Sequence, residues 1–134
     1  MTFIEDIESP DHPAQPEAVL ALIRQRVDAA QTAARLDLFK ACAVLSMREH
    51  PSAHDFADAV ARTLEQALGQ TPDWREPGAT ELSFDERWLL RLVERSLECD
   101  TASVAFLISS RVQRGKRASL AYLVNGLAER LEAA

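Results

Sequence analysis

From Glu17 to His50 the chain contains neither glycine nor proline. Within that run Leu20, Ile23, Val27, Ala30, Ala34, Leu38, Ala41 and Leu45 follow one another at steps of three and four. Residues so spaced line one side of an α-helix, whereas a strand, with its period of two, scatters them over both faces. The run predicts either one long helix or two with a break near Arg35-Leu36-Asp37, where Asp37 is placed to cap the second. Its central alanines leave room for the close approach of another helix, from the same chain or from a second subunit.

The same spacing continues beyond Pro51. In SAHDFADAVARTLEQALG, Ser52 can cap a helix striped by Phe56, Val60, Leu64 and Leu68, with Asp55 in its first turn and Gly69 as a left-handed stop. QTPDWREPGATEL reads as a loop that Trp74 pins to the core. Ser83 and Glu86 stand in capping-box spacing ahead of Trp88, Leu89, Leu92, Val93 and Leu97. Asp100 or Thr101 then caps a helix that is apolar on most sides through Val104, Phe106, Leu107, Ile108 and Val112, and Gly115 is expected to close it. A last helix starts near Arg117 and carries Leu120, Leu123, Val124, Leu127 and Leu131 in register. Gly126 lies inside it, at a cost of about 1 kcal/mol relative to alanine that a close helix contact would offset. Strand alternation and internal repeats are absent. The expected fold is all-α, with five or six helices in a compact bundle or orthogonal arrangement, residues 17–134 forming one helical domain.

Residues 1–16 differ in composition. Pro10, Pro13 and Pro16 interrupt helix, and Glu5, Asp6, Glu8 and Asp11 make the segment acidic. Phe3, Ile4 and Ile7 are apolar beads on this arm, placed to dock on a partner or on the protein's own body. The opening MTFIEDIESPDHP has no basic start and no long apolar stretch, unlike a signal peptide. No run approaches the roughly 18 apolar residues of a membrane span. Cys42 and Cys99, far apart and inside apolar patterns, read as buried reduced thiols, which makes the cytoplasm the default location. Thirteen arginines against two lysines, with abundant alanine, fit a GC-rich, bacterial-type source.

Charge narrows the function. The net charge of −6 argues against a general nucleic-acid binder, which is usually basic overall. Residues 1–82 hold 14 acidic and 7 basic side chains, and residues 83–134 hold 7 and 8. The two parts should attract, within one molecule or between copies.

Catalytic patterns are missing. His50 and His54 are four apart, but Pro51 between them puts His50 outside the helix that carries His54, so a metal pair is not expected. No serine occurs in a Gly-x-Ser-x-Gly setting, and four glycines form no phosphate loop. No cofactor is indicated, and an enzyme would need a site assembled only in three dimensions. The basic residues are more informative. Arg87, Arg91 and Arg95 form one helix ridge, with Glu94 and Glu98 three residues after the last two. Arg111, Arg114, Lys116 and Arg117 cluster nearby, the first two expected to complement the negative end of the fifth helix. These seven form the expected binding face for acidic groups, from a protein partner, a second copy or the protein's own arm. The sequence thus points to a small non-enzymatic regulator, adaptor or assembly factor that works by protein contact. Nucleic-acid binding through Arg111–Arg117 is the weaker alternative, because the following helix offers few base-reading side chains.

Overall fold

The computed structural model describes residues 16–30 and 36–133. Six α-helices and no strand occur among them: α1 Pro16–Ala30, α2 Leu38–Met47, α3 Ala53–Leu68, α4 Phe84–Leu97, α5 Thr101–Ser109 and α6 Arg114–Ala133. The fold is all-α, as the periodicity requires. Phe3, Ile4 and Ile7 lie outside the described residues.

Local chemistry sets most of the boundaries. Pro16 opens α1 instead of ending the arm, because a first-turn residue needs no amide proton. The Glu17–His50 run becomes two helices. The side chain of Asp37 accepts from the Lys40 amide at 3.0 Å, and Gln66 Oε1 accepts from the Leu38 amide at 2.8 Å. Two of the four unpaired amides at the start of α2 are thereby satisfied. Ser52 and Asp55 form a reciprocal capping box at α3, as do Ser83 and Glu86 at α4. Gly69 ends α3 in the left-handed region, φ 76°.

Gly115 does not close α5. That helix stops at Ser109, and Gly115 lies in the first turn of α6 without a positive φ. The bend comes earlier, where Val112 turns inward and is buried. Cys99 also departs from expectation, being exposed. It takes the left-handed position after α4 (φ 60°), where glycine is usual. The Cys99 amide donates to the Ser96 carbonyl at 3.0 Å and the Asp100 amide to the Arg95 carbonyl at 2.9 Å, so α4 closes with its last carbonyls bonded. Cys42 is half-buried, its thiol donating to the Ser119 carbonyl at 3.4 Å. Burial pushes that thiol's pKa up, against a smaller lowering by the Ser119 side chain.

The core forms where α3 and α6 cross. Phe56, Val60 and Leu64 from α3 meet Leu120, Leu123, Val124 and Leu127 from α6, all fully buried. α6 also packs on α2, α4 and α5, while α1 packs on α3 and α4. The interior glycine explains the closeness of the crossing. A Cβ at Gly126 would overlap the Phe56 ring. Tyr122 packs on that ring with centroids 5.9 Å apart, and the Arg130 guanidinium lies over it at 4.7 Å. Trp74 packs half-buried against the core from the α3–α4 loop.

One buried ion pair ties this loop to two helices. Arg24 of α1 donates from Nε to Glu86 Oε2 and from Nη2 to Glu86 Oε1, each at 2.8 Å, with side chains 5% and 0% exposed. Arg24 also donates to the carbonyls of Ala79 and Glu81. Glu86 accepts in addition from the amides of Arg75 at 3.0 Å and Ser83 at 3.1 Å. The capping residue of α4 is thus also the counter-ion of an arginine 62 positions earlier. Burial disfavours the Glu86 charge, but the bonds from Arg24, Arg75 and Ser83 and the Arg24 charge outweigh it and hold the carboxyl below its ordinary pKa. The hydrogen bond to Glu86 more than offsets burial at Arg24, whose pKa is raised.

Two predictions follow from this packing. Gly126→Ala should destabilise the protein by about 1–3 kcal/mol in urea unfolding, because overpacking against Phe56 exceeds the gain in helix propensity. A carboxyl with a depressed folded pKa stabilises above its unfolded value of about 4.3 and loses that contribution as pH falls through the folded value. Stability should therefore fall on acidification below about pH 4.5. Glu86→Gln should flatten that fall and cost about 3–5 kcal/mol at neutral pH, since it leaves Arg24 buried without a counter-charge.

Candidate interaction surface

The seven basic residues differ in their contacts. Arg87, Arg91 and Arg95 keep to one ridge of α4. Arg87 donates to the Leu82 carbonyl at 3.0 Å, and Arg95 pairs with Glu98 at 2.7 Å. Arg111 turns inward. Its Nη2 donates to Asp85 Oδ1 at 2.7 Å, with side chains 15% and 11% exposed, and its guanidinium lies about 5 Å from the ring centres of both Phe84 and Trp88. Asp85 Oδ2 accepts from the Asp73 amide, so this arginine helps to fix the α3–α4 loop.

Lys116 and Arg117, adjacent in sequence, serve different helices. Lys116 Nζ donates to the Gln66 carbonyl in the last turn of α3 at 3.1 Å. Arg117 Nε donates to the Val112 carbonyl at 2.7 Å and its Nη2 to the Ser109 carbonyl at 3.4 Å. The carbonyl end of α5 is therefore served by Arg117, not by Arg111 or Arg114. Both of those lie beyond α5, and Arg114 opens α6. Arg91 and Arg114 are exposed and have no polar partner among the described residues. His50 lies between α2 and α3, and His54 in the first turn of α3, both exposed. No group of three metal-ligating side chains occurs among the described residues. No described helix is long and apolar enough to cross a membrane.

The structure exposes a different set of side chains. On α2, Phe39 and Val44 are each about half exposed and Met47 is 84% exposed, while Leu38, Ala41 and Leu45 on the same helix are buried. On α5, Phe106 is 71% exposed while Val104 and Ile108 face the core. The signal for this was present in the sequence. LFKACAVLSM contains one charged residue and TASVAFLIS none, so both helices are apolar nearly all round. Such helices normally lie between other elements. Here α6 passes between α2 and α5, which do not touch each other, and its Tyr122 is partly exposed.

A groove of about 730 Å³ runs between α5 and α6 and reaches the end of α4. Val104, Ala105, Ile108, Ala118, Ala121 and Ala128 give it an apolar lining. The Ser96 hydroxyl donates to Asn125 Oδ1 within it. Arg117 lies at the Ser109 end. Three carboxylates, Asp100, Glu129 and Glu132, come from the positions farthest from it along both helices. The Asp100 carboxyl is held below its ordinary pKa, chiefly by hydrogen bonds from Ser103; the charged lining is three carboxylates against Arg117, with Glu129 also paired to the neighbouring Arg130 at 3.1 Å.

No family model matches the chain, and no curated protein or solved structure shows significant similarity to it.

The arrangement separates structural from free cations. Arg111→Ala should cost about 2 kcal/mol of stability, because it strips Asp85 of its partner and removes the stacking on Phe84 and Trp88. Arg114→Ala should change stability by less than about 0.5 kcal/mol. Paired urea denaturation curves measure both.

Proposed function

We propose that the protein acts by binding protein surfaces, as a regulator, adaptor or assembly factor, and not by catalysis. The observation that carries this reading is the incomplete covering of α2 and α5. Both are apolar on nearly every side, yet each packs on one side only and leaves Phe39, Val44, Met47 and Phe106 exposed. Large apolar side chains gathered on a surface mark contacts with other macromolecules. A net charge of −6 repels anionic lipid headgroups, so a protein surface fits these exposed side chains better than a membrane.

The basic residues take a smaller part in this reading than their clustering suggests. Arg111, Lys116 and Arg117 each donate to oxygens of this chain. Arg91 and Arg114 remain to receive acidic groups at the margin of the contact. The same bookkeeping weakens the nucleic-acid alternative, which retains one unengaged cation from the Arg111–Arg117 stretch.

Site-specific photo-cross-linking in the cell of origin tests the reading. A photoreactive side chain at Phe39, Met47 or Phe106 should give discrete protein adducts, and one at Glu76, exposed in the α3–α4 loop, should give none. Val44→Ser combined with Met47→Ser, both on α2, should abolish adducts from position 39 without lowering the melting temperature. Absence of adducts from all three positions would refute the proposal. A shift of generic duplex DNA at low salt that Arg114→Ala and Arg117→Ala weaken would favour nucleic acid instead.

A further inference from the structure

The groove between α5 and α6 has an apolar floor, an acidic end and no covering element among the described residues. Its chemical complement occurs elsewhere on the same chain. Phe84, the first residue of α4, is 70% exposed. Arg87 and Arg91 follow at i+3 and i+7, on the same side of the helix. Both are exposed, and neither is paired with a carboxylate among the described residues. This ridge therefore presents an aromatic anchor followed by two cations.

We propose that the groove receives the α4 ridge of a second copy of this chain, the second copy's Phe84 entering the apolar floor near Ile108 and Ala121. Its Arg87 and Arg91 then run towards Asp100, Glu129 and Glu132. This inference rests on the protein-contact reading above and names the partner. Charge complementarity selects a second copy over an unrelated protein, since the chain carries both the acidic groove and an uncompensated cationic ridge. The acidic N-terminal arm is a poorer occupant, because its four carboxylates would meet three more.

The dimensions agree. At 1.5 Å per residue the ridge from Phe84 to Arg91 spans about 10 Å, and the α6 wall from Ala118 to Glu132 about 21 Å. Phe84 is also held in place before any contact. The Arg111 guanidinium stacks over its ring at 5.1 Å and is itself fixed by Asp85. An anchor restrained in this way loses less side-chain entropy on docking. In a two-fold dimer the contact forms twice, each copy giving a ridge and a groove.

A charge exchange tests the proposal. Sedimentation velocity at low salt should show wild type in monomer–dimer equilibrium. Glu129→Lys with Glu132→Lys, and separately Arg87→Glu with Arg91→Glu, should each weaken self-association by at least about tenfold. Both variants alter exposed side chains, and far-UV circular dichroism checks that each is folded. An equimolar mixture of the two should regain dimer close to the wild-type level. In that mixed pair the reversed groove meets the reversed ridge and the native groove meets the native ridge. Wild type that stays monomeric at millimolar concentration overturns the inference. So does association that survives both reversals, or a mixture that shows no rescue. The first outcome leaves the protein-contact reading to the cross-linking test. The second would place a self-contact on another surface, such as the exposed side of α2.

Discussion

The pairing of Arg24 with Glu86 is the interaction on which the layout depends. It joins α1 to the start of α4, and through the Arg75 amide and the Ala79 and Glu81 carbonyls it fixes the loop that separates them in sequence. Each Glu86 oxygen accepts two hydrogen bonds, one from Arg24 and one from a backbone amide. A buried pair is tolerable when its remaining lone pairs and protons are so occupied, and costly when one member is lost. Asp85, one residue earlier, does related work on the other side through Arg111 and the Asp73 amide. Two adjacent acidic residues at the head of one helix therefore organise both sides of the loop.

How far this could be read in the sequence depended on the range of each signal. Caps act over three or four residues, so Asp37, Ser52, Gly69, Ser83 and Asp100 marked helix boundaries that the structure has. The Gly126 contact was also legible as a need for closeness, though not its partner, Phe56. Glu86 showed only its local half, because nothing in the sequence links it to Arg24. Gly115 misled for a related reason. The bend after α5 is set by burial of Val112 and by the Arg117 bonds, and the left-handed position that glycine would favour is taken instead by Cys99 after α4.

The surface was read less well than the core. Clustering of Arg111, Arg114, Lys116 and Arg117 in sequence suggested one cationic site, yet a helix terminus sends neighbouring side chains to different elements. Lys116 goes to α3, Arg117 to α5 and Arg111 to α4. Periodicity gives the direction of a helix only when one side is polar. In α2 and α5 almost no side is, so the spacing could not show which apolar residues would stay uncovered. The uncovered apolar side chains were hidden by the absence of pattern in those two segments.

The position of α6 has a consequence for how the chain matures. This helix supplies Leu120, Leu123, Val124 and Leu127 to the centre and touches four of the other five helices. During synthesis the first five helices emerge before the element that closes their shared interior. Native packing must then wait for α6 to leave the ribosome, and until that moment the apolar flanks of α2 and α5 are joined by unsheltered core residues of α3 and α4, a combination that favours chaperone engagement on the nascent chain.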